Sequence, residues 1–140
     1  MAQYNEVGKV YERPWGTYTT ISAASDHSQE EKDIVVNNGQ QLSIQSHKQR
    51  QEAWTIVEGN PEILLIERKE DEEIDLGDLD SSWKQYKPGD VVTIEKHWIH
   101  SIRNRTDTSV KFHEVQTGFC AEDDIERYQD VYGRVESPRC

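Results

Sequence analysis

With 140 residues the chain has room for one domain of ordinary size. Its formal net charge of -11 excludes a general nucleic-acid binder, which needs a basic stripe to displace counterions, and requires any pocket for an anion to be locally basic. No run approaches the roughly 20 apolar residues of a membrane span, and the start has no signal-peptide core, so a cytoplasmic protein without nucleic-acid or membrane partners is expected.

Hydrophobic residues make up 34%, few for a globular chain, although Trp and Tyr suffice for a small core. A barrel-like sheet with one long polar excursion reconciles the two. Residues 1–12 form a polar tail, frayed or pinned as an edge strand. Arg13-Pro14-Trp15-Gly16 is a turn, with Trp15 expected as an aromatic plug at the base of the barrel, and it leads into a strand from Thr17 to Ser22. Ala23 to Lys32 is polar and loop-like. Asp33 to Val36 is a short strand ending at the turn signal Asn37-Asn38-Gly39. Leu42 to His47 and Ala53 to Val57 follow as strands joined by a polar bend.

Ile63 to Ile66 is a continuous apolar run, a buried strand. Glu67 to Ser82, dense in acidic residues, breaks the pattern and is expected as a solvated loop insertion. Trp83 to Tyr86, Val91 to Ile94, Trp98 to Ile102 and Val110 to Gln116 complete the strands. Short strands at regular spacing, punctuated by Gly, Pro and Asn, predict an all-β antiparallel barrel or jelly roll. From Glu122 to Tyr132 the period changes. Ile125, Tyr128 and Tyr132 recur three and four apart, the start is acidic and Gly133 follows, which predicts a short C-terminal helix. Residues 135–140 form a tail. Cys120 and Cys140 imply no disulfide, and reduced thiols fit the cytosol. The apolar runs, Ile63 to Ile66 among them, exceed what one barrel face needs, so a homodimer is expected.

The chemistry gathers in two stretches. Side chains two apart share a strand face, so Gln45 and His47 point together and Glu52 returns on the partner strand. His100 shares its face with Trp98 and Ile102 and is expected to turn inward. One amide oxygen, two imidazoles and one carboxylate suit a divalent metal ion, with zinc, iron and manganese all accepting the set. His97 falls on the opposite face and is expected to be exposed, as are His27 and His113.

The spacing carries a resemblance. Gly39, five residues, Gln45-x-His47, four residues, Glu52, six residues and Gly59 resemble the first cupin motif, with Gln45 standing at its first histidine. Gly89, five residues, Glu95-x-His97, two residues, His100, three residues and Asn104 resemble the second, with Glu95 and His97 replacing the usual proline and glycine. Within the cupins the chain resembles the type II phosphomannose isomerase domain. The matches are Arg13 to Gly16, Leu42 to His47, Val115-Gln116-Thr117-Gly118, Glu122 to Ile125 and Tyr132-Gly133-Arg134. They imply one cupin (double-stranded β-helix) domain over residues 13–134.

The resemblance implies a metal-dependent isomerase that interconverts mannose 6-phosphate and fructose 6-phosphate through an enediol(ate). The metal would be zinc first, with Gln45, His47, Glu52 and His100 as ligands. Arg50 matches an arginine of the family's histidine-rich stretch, and its planar guanidinium suits a phosphate or sugar hydroxyls. Arg50 and Lys48 are the expected catalytic residues. Lys48, Glu95 and Glu114 are candidates for the proton base, and Lys48, Arg13, Arg103 and Arg134 are further phosphate candidates. Lys48, Gln49 and Ala53 stand where the family has more histidines, which keeps a non-catalytic metal- and sugar-binding module open as the alternative. A small cupin oxygenase fits the fold and metal but not the flanking segments. Guanylyltransferase activity is not expected.

Overall fold

Burial alternates residue by residue along Gln29 to Val36 and Val110 to Gly118, as it must for strands with one face on a core and one towards water. The computed structural model describes residues 3–77 and 79–129. Its strands are β1 (Val10–Arg13), β2 (Gly16–Ala23), β3 (Gln29–Val36), β4 (Ile44–Ser46), β5 (Arg50–Glu58), β6 (Glu62–Ile66), β7 (Trp83–Gln85), β8 (Val91–Ile94), β9 (Ile99–Arg103), β10 (Val110–Gly118) and β11 (Glu126–Gln129). They pair antiparallel into a six-stranded sheet, β1-β2-β3-β10-β5-β8, and a five-stranded sheet, β11-β4-β9-β6-β7. Ile63 and Ile102 of the second sheet join Trp54, Ile56 and Phe112 of the first in one core, so the sheets close on each other as a double-stranded β-helix. Trp15 is buried in that core, as its turn position predicts.

The register sorts the inward side chains into layers. At one end Gly16 and Val110 both pair with Val36. One step up, Tyr18 pairs with Ile34, Ile34 with Phe112, and Phe112 with Ile56. The next layer holds Thr20 against Lys32, Lys32 against Glu114, and Glu114 against Trp54. The last holds Glu30 against Gln116 and Gln116 against Glu52. The barrel therefore has an apolar base and an ionic upper half. Glu30, Lys32, Arg50, Glu52 and Glu114 are all buried in it. Burying that many charges is costly unless they are paired, and such sets recur where chemistry requires them.

The second sheet is covered outside as well as inside. Ile44, Leu64 and Ile99 form an outer cluster, over which Ile74, Leu76 and Leu79 of the acidic segment pack together with Trp83 and Tyr128. Four consecutive residues of β9, Ile99 to Ile102, are buried because both its faces are covered. The acidic insertion is thus fastened by aliphatic side chains rather than freely solvated. The homodimer expectation loses its stated basis, because the chain itself covers the outer side of the Ile63 to Ile66 strand.

Two local expectations are corrected. The polar stretch read as a loop up to Lys32 is already strand from Gln29, because its inward partners are the charged groups of the upper barrel rather than apolar ones. The C-terminal helix is absent over its described part. Glu126 to Gln129 is a strand on the edge of β4, with Glu126 opposite Ser46 and Arg127 opposite Gln45. Three residues of β4 with a single pair to β9 leave an open edge, and covering it outweighs a weak helical period. The acidic residues expected at a helix N-terminus bond elsewhere: Asp124 accepts the Lys48 and Gln49 N–H groups at 3.0 and 2.9 Å. Tyr132, Gly133, Arg134, Cys140 and the tail expected at 135–140 lie outside the described residues.

Candidate metal centre

Strand β5 alternates Arg50, Glu52 and Trp54 inward, while His47 leaves the end of β4 and His100 sits on β9 opposite Gln45. Both imidazoles are held at Nδ1 by a backbone carbonyl. His47 donates to Asp124, and His100 donates to Trp98 at 3.0 Å. This turns each Nε2 towards Glu52, and that of His47 also lies within reach of Arg50. His47 Nε2 lies 3.2 Å from Oε2 of Glu52, and His100 Nε2 lies 3.8 Å from Oε1. The three residues offer donor atoms within 4.8 Å of one another, and all three are buried.

The electrostatics keep the set deprotonated. Burial, then the charge of Arg50, pushes His47 down to about 3, and burial also lowers His100. Burial alone would raise Glu52, but His47, Arg50 and His100 outweigh it and hold the carboxyl well below the ordinary range. Arg50 is buried and forked: Nε donates to Glu52 Oε2 at 2.9 Å, Nη2 to His47 Nε2 at 3.3 Å, and Nη1 to the Ala121 carbonyl at 3.1 Å. Two neutral imidazoles, one ionised carboxylate and Nδ1 bonds that fix the rings fit a divalent cation. Gln45 lines the same cavity. Its amide nitrogen donates to the carbonyl and hydroxyl of Ser43 at 3.3 and 3.2 Å, so the amide oxygen is the atom it can offer.

A second carboxyl stands beside the first. The Trp54 indole N–H is shared between Glu52 Oε1 at 3.0 Å and Glu114 Oε2 at 2.9 Å, and Gln116 donates to Glu114 Oε1 at 2.6 Å. Burial and the neighbouring charge of Glu52 push Glu114 up to about 8. The other proton-base candidates are not brought here. Glu95 is exposed, and Lys48 is exposed beside Arg68 and His97 in a separate depression. Ala53 is on the opposite face of β5 from Glu52, so a histidine there would not point at the donors. Gln49 is exposed on the bend.

His97 takes φ 71°, the left-handed backbone a glycine adopts freely, and its N–H donates to the His47 carbonyl at 2.8 Å. Its side chain is half-buried near Glu70 and outside the cavity. His27 stacks on Tyr4, and His113 bridges Asp33 and Glu31; both are partly buried rather than fully exposed.

A family model described as "Mannose-6-phosphate isomerase C-terminal" matches residues 2–130. The chain belongs to this family. Among the proteins it is similar to is the alginate biosynthesis protein AlgA of Pseudomonas putida, 35% identical over 127 residues. That match covers 90% of this chain but 23% of AlgA, so the chain spans about a quarter of that relative's length. Among solved structures, the capsular polysaccharide assembling protein CapF of Staphylococcus aureus superposes with a TM-score of 0.67 at 17% identity, over 88% of this chain and 32% of CapF. A cupin-superfamily sugar phosphate isomerase of Silicibacter pomeroyi gives 0.55 at 17% identity, over 79% and 68%. These two similarities show the fold.

Three groups in the cavity escape a reading of motifs: Tyr18, Lys32 and Glu122. Lys32 lies in a run of charges that resembles a solvated loop, and Glu122 in one that resembles a helix start. For Tyr18 and Lys32, two-residue alternation carried back from Ile34 and Val36 is the signal that reaches them.

Proposed function

We propose that the chain is a metal-dependent isomerase interconverting mannose 6-phosphate and fructose 6-phosphate through an enediol. The observation that carries this reading is the convergence of two Nε2 lone pairs, each fixed from behind by a backbone carbonyl, on one ionised carboxylate inside a barrel of this family. Zinc is the first choice, ahead of manganese and iron, for a set of two imidazoles, one carboxylate and the Gln45 amide oxygen. A divalent ion held there supplies Lewis-acid polarisation of the sugar's carbonyl and neighbouring hydroxyl oxygens.

The chain's own residues do the rest. Arg50 donates to Glu52 and to His47 Nε2, which keeps the carboxylate ionised and that nitrogen unprotonated. Trp54 fixes the two carboxyl groups relative to each other. Isomerisation takes a proton from C2 of the aldose and returns one to C1. Of Lys48, Glu95 and Glu114, Glu114 is the group that lines the cavity, and its position near neutrality suits proton exchange in both directions. The same reading places the protein in the cytoplasm, in keeping with the buried thiol of Cys120. It includes a homodimer, for which exposed Val57 and Val91 near the β8 edge offer apolar surface.

The experiment is to incubate metal-loaded protein with mannose 6-phosphate and assay fructose 6-phosphate. Turnover should disappear with chelator and return with metal, and Glu114→Gln should lower kcat by about 10²-fold or more. The exposed placement of Lys48 favours one rival, a metal- and sugar-binding module without turnover. Full metal occupancy with no isomerisation would establish that rival.

A further inference from the structure

The cavity above the donor set is about 90 Å³, room for a few waters, whereas sites for small organic ligands run to roughly 300 Å³ and more. Glu122 lies in the connection between β10 and β11 and reaches back to line this cavity beside Lys32. Its Oε2 accepts from Lys32 Nζ at 2.8 Å, and its Oε1 lies 3.2 Å from the Tyr18 hydroxyl. The Arg50 Nη1 is 3.8 Å from Oε2, beyond hydrogen-bond distance. The Tyr18 hydroxyl has a single proton and a second acceptor, Asn5 Oδ1, at 2.8 Å. Arg13 donates to that hydroxyl at 3.2 Å from the rim.

Two buried cations and a hydroxyl therefore surround one carboxylate: Lys32 and Tyr18 bond it, and Arg50, whose own partners are Glu52, His47 and the Ala121 carbonyl, stands 3.8 Å away. A tetrahedral dianion has more oxygens and more charge, and Lys32, Tyr18 and Arg50 can all reach it at once. Arg50 also fixes the distance to the chemistry, since its other two nitrogens bond Glu52 and His47. An anion on Nη1 thus lies one guanidinium away from the converging donors.

We infer that Lys32, Tyr18 and Arg50 form the seat for the phosphate of a sugar phosphate, and that the Glu122 carboxylate fills this seat until the ligand displaces it. This rests on the sugar-phosphate reading above and adds the residues that select the phosphate. Lys32 comes from the ionic half of β3 and Tyr18 from the layer just below it on β2, rigid strands that hold the seat in place. Glu122 comes from a loop, with a quarter of its side chain exposed, and can withdraw.

The test is a titration of inorganic phosphate into chelator-treated protein, followed by calorimetry, with circular dichroism confirming that each variant is folded. Glu122→Gln removes the competing charge and should tighten phosphate binding by about tenfold or more. Lys32→Met combined with Glu122→Gln removes the cation and its 2.8 Å partner together, and Glu30, 3.6 Å from Lys32, keeps its bonds from Asn5 and Thr20. The double variant should abolish phosphate binding, while Glu122→Gln alone keeps it. Phosphate affinity equal in wild type and Glu122→Gln, or retained in the double variant, would overturn the seat. Absence of phosphate binding from folded Glu122→Gln would do so too. Mannose 6-phosphate separates this from the isomerase reading. Binding with the same variant pattern but no conversion supports the seat while the isomerase fails. Conversion with an unchanged KM in the double variant refutes the seat and leaves the isomerase standing.

Discussion

His47→Ala and His100→Ala each remove one of three donors carried on strands that cannot rearrange, so each should strip most of the bound divalent ion. Gln45→Ala should lose far less, because a neutral amide oxygen is a weaker donor and water can replace it. Metal analysis of the purified, reloaded variants decides this, and normal metal in both histidine variants would refute the ligand assignment. Gly118 makes a different kind of contribution at the same scale. It has φ 119°, and a Cβ on it would come within 2.3 Å of the Gln49 carbonyl oxygen, in the bend that carries His47 and Arg50. Gly39 has φ 75°, and a Cβ there would meet nothing within 4 Å. Gly39→Ala should therefore cost about 1 kcal/mol from backbone strain alone. Gly118→Ala should cost more, about 2 kcal/mol or above, because the bend must shift as well. Urea denaturation of the two variants compares them directly. Equal losses would mean that the close approach at Gly118 is relaxed without consequence.

At the scale of elements, the acidic insertion has two separable properties. Its charges face water, but Ile74, Leu76 and Leu79 cover Ile44, Leu64 and Ile99 on the outside of the second sheet. Replacing residues 70–80 by a short Gly-Ser link should leave metal content intact, since none of the converging donors lies in the loop. It should also expose the outer cluster and drive self-association. Light scattering that showed the shortened chain in the same state as wild type would refute the second half of this, and loss of metal would refute the first. The hydrophobic pattern made most strands legible, because β2, β5, β8 and β10 alternate apolar residues inward over much of their length. The same rule could not see the start of β3, where the inward residues are Glu30 and Lys32. It also misplaced β11, whose four residues are too few to separate a period of two from one of three to four. The donor spacing was legible because β4, β5 and β9 present those residues directly. Glu122 was not, since nothing local to it indicates that its partner is Lys32 on β3.

The whole molecule is a barrel with an apolar base and a charged top, and its stability should depend on pH accordingly. At the top, Glu122 is pushed up by burial but pulled further down by Lys32 and Arg50, to about 2 from an ordinary 4.5. A carboxyl with a depressed folded-state pKa contributes stability that is complete above its unfolded value and is lost as pH falls through the folded one. The contribution of Glu122 is therefore full above about pH 4.5 and disappears towards pH 2. With a quarter of the side chain in water, it is of the order of 2 kcal/mol rather than the full value of the shift. On the outer face of β10, His113 behaves oppositely. Its bonds to Asp33 and Glu31 raise it above the ordinary 6.5, so its contribution is present below that value and fades as pH rises past the folded one. Urea midpoints measured across this range should fall on both sides of a maximum. Glu122→Gln should flatten the acid limb and leave the other unchanged, whereas His113→Gln should flatten the limb above pH 6.5 alone. An acid limb equally steep in wild type and Glu122→Gln would mean that another buried carboxylate, Glu52 first, carries it instead.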